Sequence, residues 1–272
     1  LWLTAALFNN VVDEDPRQLH GVRQLFTGGE ALSLRHVRRM REMEPDVALF
    51  NGYGPTECTT FAVTHAIGEL DEDARSVPIG RAIDRARLYV VDDQGQPVHP
   101  GETGELWIAG CGVALGYFGR PDLTAERFVA SPDGNGRAYR SGDQVRVSED
   151  GTLEFCGRID QQVKIRGFRI ELGEIEAVLG AVPGIRNAAV TAMETGHGER
   201  RLVAYLQAED GHEIDVPAVR AELARLLPDY MVPLRHVVLD HFPTTANGKL
   251  DRTALPAPDR GRPDLAVAYD AP

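Results

Sequence analysis

Apolar and polar positions change their spacing along the chain, and each change predicts a different kind of element. Residues 1 to about 66 predict α/β layers, with a helix over LRHVRRMRE for which Ser33 is the expected cap. The opening run, LWLTAALF, is typical of the middle of a buried element. From about 78 to 157 short strands and turns predict a small barrel or sandwich, and Asp150-Gly151 marks a hairpin tip.

The segment GRIDQQVKIRGFRIELGEIE, residues 157 to 176, changes period internally. Val163 and Ile165 alternate with basic residues, as in a strand, and helical spacing follows from Glu174 to Leu179. A strand, a second strand, a helix that Asp215 caps and a last strand are predicted after it, which makes an α+β unit. By itself the segment is also typical of a surface hairpin with a solvated basic face.

Composition narrows the functional classes. The chain has 272 residues, 43% of them hydrophobic, and a net charge of −12, which argues against nucleic acid or an acidic membrane as partner. Cys58, Cys111 and Cys156 form no C-x-x-C pair, which disfavours a zinc site or disulfide framework and favours a reducing, cytoplasmic compartment. There is no signal peptide and no apolar run near the ~20 residues of a membrane helix. Because Leu1 lies within an apolar run, we expect a fragment of a larger protein.

The segment NGYGPTE, residues 51 to 57, is the first candidate for chemistry. Its two glycines allow a ligand to approach the backbone closely. Tyr53 offers a flat face for a base, and Thr56 and Glu57 offer hard oxygens for a phosphate-bound Mg²⁺. A plain strand-ending turn explains the same residues equally simply.

Two further clusters carry charged candidates. In YRSGDQ, Asp143 follows a glycine turn and could accept two hydrogen bonds from a ribose diol, to which Arg158 could also bond. In TTANGKLDR, Lys249 is a mobile cation that can neutralise a carboxylate and a phosphate as they meet. The alternatives are a loop aspartate, a surface arginine and a hairpin tip at the Asn-Gly dipeptide.

Together these clusters resemble, in order, the adenylation domains of nonribosomal peptide synthetases, within the adenylate-forming enzymes. The resemblance rests on seven segments that span nearly the whole chain: TGGEAL (27–32), NGYGPTE (51–57), GELWIAGCGVALGY (104–117), YRSGDQ (139–144), GRIDQQVKIRGFRIELGEIE (157–176), LPDYMVP (227–233) and NGKLDR (247–252).

The resemblance implies an activity: an amino-acid carboxylate attacks the α-phosphate of ATP with Mg²⁺, and the acyl group then passes to a phosphopantetheine thiol. Lys249 would bridge carboxylate and phosphate, and Glu57 would serve the metal. Asp160 would be the hinge of a rotating C-terminal lid. The implied nucleotide-binding residues are Gly28, Gly29, Glu30, Asn51, Tyr53, Gly54, Thr56, Asp143 and Arg158.

The resemblance also implies a substrate pocket of three aromatic residues, two glycines and a threonine: Trp2, Phe26, Gly28, Gly52, Thr60 and Phe61. Such an uncharged pocket suits a small branched aliphatic side chain, valine first and isoleucine or leucine next. Plain core packing is the alternative explanation for Trp2 and Phe26.

The implied fold is multidomain, α/β and α+β. Residues 1–77 would be the C-terminal portion of an α/β core subdomain, truncated at its N-terminus, and 78–159 a distorted β-barrel. Residues 160–258 would form the lid after the hinge, and 259–272 a linker towards a carrier domain, with a condensation domain upstream in the intact synthetase.

Several features depart from the family pattern. Leu115 replaces an arginine, Ser141 a threonine and Gln144 a leucine. The Ser/Thr/Gly-rich phosphate loop with its lysine and the aspartate that pairs with the substrate amine are absent, so we expect this chain by itself to have little or no adenylating activity. Two alternatives stay open: an acyl-CoA or aryl-acid ligase of the same superfamily, and a non-catalytic remnant that docks a carrier domain.

Overall fold

A computed structural model describes residues 1–71, 73–160, 162–194, 200–244 and 250–258. The chain divides into two compact units, Leu1–Asp160 and Gln161–Pro272. Within the described ranges, no helix combines the length and apolarity required to cross a bilayer.

The first sheet of unit 1 has five strands in sequence order, of which the first three are parallel. Helices follow the first and second strands, which confirms the predicted α/β layers. The elements are β1 (Trp2–Thr4), α1 (Ala5–Glu14), β2 (Gln24–Gly28), α2 (Leu34–Met43), β3 (Ala48–Tyr53), β4 (Val63–Ala66) and β5 (Arg81–Ala82).

Two details of this layer differ from expectation. The run LWLTAALF is a strand followed by a helix rather than one buried element, because the Thr4 hydroxyl accepts a hydrogen bond from the Leu7 amide at 3.3 Å and starts α1. Leu1 and Trp2 are 60% and 46% exposed. Ser33 occupies the N-cap position of α2, but its side chain makes no capping hydrogen bond.

Alternation along the strands separates the two faces of this sheet. Leu25 and Leu49 are buried in one core with Phe8 of α1 and Val37 of α2. Residues of the other parity are in cross-strand register on the opposite face, where aromatic rings predominate: Trp2, Phe26 and Phe50. The helices therefore cover one face, and the other carries an aromatic row.

The second sheet is antiparallel, in the order β10-β9-β7-β6 with β8 added to β9. In the described residues it is open, with β6 and β10 as edges, and Asp150-Gly151 forms the predicted tip between β9 and β10. The elements are β6 (Ala86–Val91), β7 (Thr103–Gly110), α3 (Pro121–Arg127), β8 (Phe128–Ala130), β9 (Arg137–Val147) and β10 (Leu153–Arg158).

One core joins the two sheets of unit 1. Tyr53 and Val63 from the first sheet pack with Leu106, Tyr139 and Val145 from the second. This core contains side chains from before and after residue 77. The division predicted at residue 77 therefore stays a prediction.

Unit 2 contains the predicted hairpin, helix, two strands, helix and strand in that order. Asp215 caps the second helix by accepting a hydrogen bond from the Ala218 amide at 3.2 Å. Helices and strands share a core that includes Ile175, Val190 and Leu223. The elements are β11 (Gln162–Ile165), β12 (Phe168–Glu171), α4 (Leu172–Gly180), β13 (Ile185–Glu194), β14 (Arg200–Ala208), α5 (Val216–Leu226) and β15 (Arg235–Val238).

Candidate functional site

The carboxyl ends of β2 and β3 lie side by side in unit 1. Gly28 and Gly52 are paired, and a Cβ added to Gly28 would lie 2.0 Å from the Gly52 carbonyl oxygen. Only glycine permits this approach. The bend at Gly29-Glu30 and the turn after Tyr53 therefore begin at the same edge, where open α/β sheets bind their ligands.

The glycines and the asparagine of NGYGPTE have internal partners. A Cβ on Gly52 would meet the Phe61 ring at 2.5 Å, and one on Gly54 would meet the Thr60 carbonyl oxygen at 2.5 Å. Asn51 is 4% exposed and donates from Nδ2 to the Pro78 carbonyl at 2.8 Å. Packing within the chain therefore explains why glycine and asparagine occupy these positions.

A buried network connects the two sheets through Tyr53. Its hydroxyl donates to Oδ2 of Asp143, which is 5% exposed on β9. The other carboxylate oxygen of Asp143 accepts from Arg158 Nη1 at 2.5 Å. Burial, followed by the charge of Asp143, raises the pKa of Tyr53, so its hydroxyl keeps the proton that it donates. The structure thus brings together a ring, a carboxylate and a guanidinium that the sequence places far apart.

Arg158 also holds the predicted hinge residue. Its Nε and Nη2 donate to the two carboxylate oxygens of Asp160 at 2.6 and 2.7 Å. Gly142 makes room for this pair, since it has φ +71° and an added Cβ would lie 2.8 Å from Asp160 Oδ2. The guanidinium therefore lies between the carboxylate of β9 and the last residue of unit 1.

Glu57 is held by a tyrosine that sequence analysis did not select. The Tyr117 hydroxyl donates to Glu57 Oε1 at 2.5 Å and lies 3.4 Å from the Tyr139 hydroxyl. Burial raises the pKa of Tyr117, with the hydrogen bond to Glu57 as the next cause. The sequence signal was available, because Tyr117 closes the GELWIAGCGVALGY segment.

The metal role predicted for Glu57 is compatible with its surroundings. Within the described ranges, no group of three or more His, Cys, Asp or Glu side chains could hold a metal ion by itself. A Mg²⁺ bound through nucleotide phosphates needs only one or two protein carboxylates, and Tyr117 fixes the orientation of this one.

Three of the predicted pocket residues form an aromatic cluster. The Phe61 ring lies 5.9 Å from Phe26 and 6.3 Å from Trp2 between centroids. Phe50 stacks on Phe26 at 4.7 Å and was missed, although it is in register with Phe26 in the neighbouring strand. Phe26 and Gly28 in β2, like Phe50 and Gly52 in β3, are two residues apart and so belong to the same face of the sheet. This spacing could have identified both rings from the sequence.

The remaining predicted residues are placed as follows. Thr56 and Thr60 are exposed, and Thr60 adopts φ +68°, directly after Thr59 at φ +59°. Two successive β-branched residues in the left-handed region are uncommon, and such strain clusters at functional sites. Lys249 lies outside the described residues.

Comparison with known proteins identifies relatives of both units. The family model described as "AMP-binding enzyme" matches residues 1–118, and the model described as "AMP-binding enzyme C-terminal domain" matches residues 174–249. The chain is 45% identical over 263 residues to tyrocidine synthase 3 of Brevibacillus parabrevis, covering 96% of this chain and 4% of that protein. It is 49% identical over 259 residues to a dimodular nonribosomal peptide synthase of Bacillus subtilis (strain 168), covering 94% of this chain and 11% of that protein.

Among solved structures, holo-PA1221, an NRPS protein containing adenylation and PCP domains bound to a vinylsulfonamide inhibitor, matches with a TM-score of 0.81 and 40% identity. The match covers 93% of this chain and 43% of that chain. IdnL1 matches with a TM-score of 0.81 and 29% identity, covering 89% of this chain and 51% of that chain. The chain thus spans a small part of each synthase and about half of each solved relative.

Proposed function

The chain belongs to the AMP-binding enzymes, as a sequence of the adenylation-domain type found in nonribosomal peptide synthetases, and from this premise we propose that it activates an amino acid with ATP. The product would be an aminoacyl-adenylate and pyrophosphate. The acyl group would then pass to the phosphopantetheine thiol of a carrier domain.

The buried network of Tyr53, Asp143 and Arg158 is the observation that carries this proposal. A carboxylate already oriented by a hydroxyl and a guanidinium can accept hydrogen bonds from a ribose diol without reorganising. Tyr53 ends β3 beside the end of β2, so the backbone of Gly28, Gly29 and Glu30 would border the same nucleotide.

Glu57 would bind Mg²⁺, which supplies positive charge to the phosphates when it is bound. The contribution of this chain is the hydrogen bond from Tyr117 that holds the Glu57 carboxylate in one orientation. Lys249 would neutralise the meeting carboxylate and phosphate, and Asp160 would be the pivot of the second unit.

A branched aliphatic amino acid, valine first, is the substrate that the aromatic cluster favours. Trp2, Phe26 and Phe61 form a cluster of aromatic rings without charge, which suits an apolar side chain. One methylene changes the discrimination between substrates by about 1–3 kcal/mol. Isoleucine and leucine would therefore be activated roughly 10- to 200-fold less efficiently than valine.

A carrier domain is the proposed partner for the second half-reaction, with a condensation domain upstream in the intact synthetase. Support comes from PA1221, which contains adenylation and PCP domains, and from the peptide synthases that match this chain.

Calorimetric titration of the chain with AMP tests the nucleotide site separately from activity. We expect saturable binding that Asp143→Asn weakens at least tenfold, since one charged hydrogen-bond acceptor is lost. Asp150→Asn, at an exposed hairpin tip, is the matched control and should bind as the parent does. A chain that is folded by circular dichroism yet never binds AMP or ATP would instead favour the non-catalytic remnant.

A further inference from the structure

Two adjoining cavities lie beside the start of β6 and the end of β7 in unit 1. The smaller, about 160 Å³, is lined mainly by apolar side chains that include Cys58, Ala62 and Ile108, and the ion pair of Asp84 and Arg85 forms part of its wall. The larger, about 520 Å³, is lined by three arginines. Both cavities include Arg85 and Cys111 in their walls, so they adjoin. The smaller cavity is called the slot, and the larger, arginine-lined cavity is called the mouth.

The arginines of the mouth are Arg85, Arg87 and Arg137, and two of them are held by neutral acceptors. Arg87 Nη2 donates to the Asn135 carbonyl at 2.7 Å, and Arg137 Nη1 donates to the Leu115 carbonyl at 2.8 Å. These bonds orient the guanidinium groups without cancelling their charge.

Two carboxylates lie beside these arginines, beyond hydrogen-bond distance, and one of them, Asp84, lines the slot. Asp133 Oδ2 is 3.6 Å from Arg87 Nε, and Asp84 Oδ2 is 3.7 Å from Arg85 Nε. The Asp84 side chain is 96% exposed, so solvent screens it. Three guanidinium groups against two acids leave the mouth positive, although the chain as a whole carries −12.

The backbone at Arg85 is fixed before any ligand arrives. Arg85 has φ +63°, within a turn that the Ala86 amide closes on the Ile83 carbonyl at 3.1 Å. A Cβ added to Gly110 would lie 2.1 Å from the Arg85 carbonyl oxygen, so the end of β7 packs directly on this residue. The Arg85 side chain therefore extends from a rigid stretch of backbone between the slot and the mouth.

We propose that these cavities bind a phosphate monoester carried on a short aliphatic chain. The chain would occupy the apolar slot, whose volume equals that of about five water molecules at ~30 Å³ each. The dianionic phosphate would lie among Arg85, Arg87 and Arg137, since guanidinium forks match phosphate oxygens and three cations favour two negative charges over one. Phe61 lines the slot and also belongs to the aromatic cluster, so this site adjoins the proposed amino-acid pocket.

Calorimetric titration of the full chain with hexyl phosphate tests the proposal. We expect binding at least tenfold tighter than that of inorganic phosphate, hexanoate or hexanol, because only hexyl phosphate fills both cavities. Arg85→Asn, which keeps a residue that tolerates positive φ, and Arg87→Gln should each weaken binding about tenfold. Ala86→Leu should fill the slot and reduce the affinity for hexyl phosphate to that for inorganic phosphate.

Arg17→Asn is the matched control, because Arg17 is 71% exposed on the same unit and does not line either cavity. It should change the affinity less than twofold. In a Cys156→Ser variant the exposed thiol is Cys111, and hexyl phosphate should slow its alkylation. Equal loss in R17N and R85N, hexanoate binding as tightly as hexyl phosphate, or alkylation unaffected at saturating ligand would overturn the proposal.

Discussion

At the scale of single residues, Arg158 is a largely buried cation that pairs with two carboxylates of unit 1. It pairs with Asp143 and Asp160, and the side chains of Arg158 and Asp143 are only 12% and 7% exposed. Its proposed role in binding and its role in stability therefore rest on the same contacts.

Arg158→Gln should destabilise the chain by about 3 kcal/mol or more, because Asp143 would stay buried without its cation. Urea unfolding followed by tryptophan fluorescence measures this change. The matched control is Arg146→Gln, which removes an ion pair with Glu154 in the same two strands at 52% and 28% exposure. That change should cost far less than the loss at Arg158, because solvent screens this pair, and equal losses in the two variants would contradict the buried-network interpretation.

Cys58 should be inert towards thiol reagents in the folded chain. Burial raises the pKa of its thiol to about 12, and the charge of Glu57 adds to the rise. A raised pKa keeps the proton on sulfur at neutral and mildly alkaline pH, and the thiolate is the nucleophile. At pH 8, Ellman's reagent should therefore label the exposed Cys111 and Cys156 and reach Cys58 only after denaturation. Rapid labelling of three thiols in native protein would refute this expectation.

At the scale of elements, an ion pair joins the last described segment of the chain to α4. Arg252 Nη2 donates to Glu176 Oε1 at 2.7 Å, and the same oxygen accepts from the Val190 amide at 2.7 Å. Arg252 Nη1 bonds the Val190 carbonyl at 2.8 Å. One carboxylate and one guanidinium thus connect a helix, a strand and the segment after residue 250.

Glu176→Ala should destabilise unit 2 by about 2 kcal/mol, because a strand amide and a partly buried guanidinium each lose a charged partner. Far-UV circular dichroism during urea unfolding of the full chain gives the measurement. Glu222→Ala is the control, since Glu222 pairs with Arg225 on the exposed surface of α5 at 39% and 66% exposure. Its effect should be clearly smaller than that of Glu176→Ala, because solvent screens this pair. A larger loss at Glu222 than at Glu176 would contradict a stabilising link between α4 and the segment after residue 250.

At the scale of the whole molecule, the two compact units have separate cores. The core of unit 2 is built from residues of α4, α5 and the strands of its own sheet, including Ile175, Leu206 and Leu223. A domain with its own core is expected to fold alone.

A polypeptide of residues 161–258 should therefore unfold cooperatively in urea by itself. Leu206→Ala, at a fully buried position, should lower its stability by about 2–5 kcal/mol and so show that the transition reports on this core. A gradual, non-cooperative loss of circular dichroism in the parent polypeptide would show that unit 2 needs the rest of the chain.

Much of the local structure was predictable, because it depends on neighbours in the sequence. The order of elements in unit 2, the Asp150-Gly151 tip and the Asp215 cap are confirmed. The opening strand and helix were not separated, since a single hydroxyl, that of Thr4, decides where α1 begins. The predicted site roles, the hinge at Asp160 and the role of Lys249 remain predictions.

By itself the sequence determined the family, the order of its motifs and the periodicities of its elements, because these depend on residue type and local spacing. Only the tertiary structure decided which distant groups meet. Tyr53 reaches Asp143 across 90 positions, Glu57 finds Tyr117, and Arg85 and Arg137 border one cavity. Strand register and core packing bring such groups together. The spacing of residues within any one segment does not determine these long-range contacts.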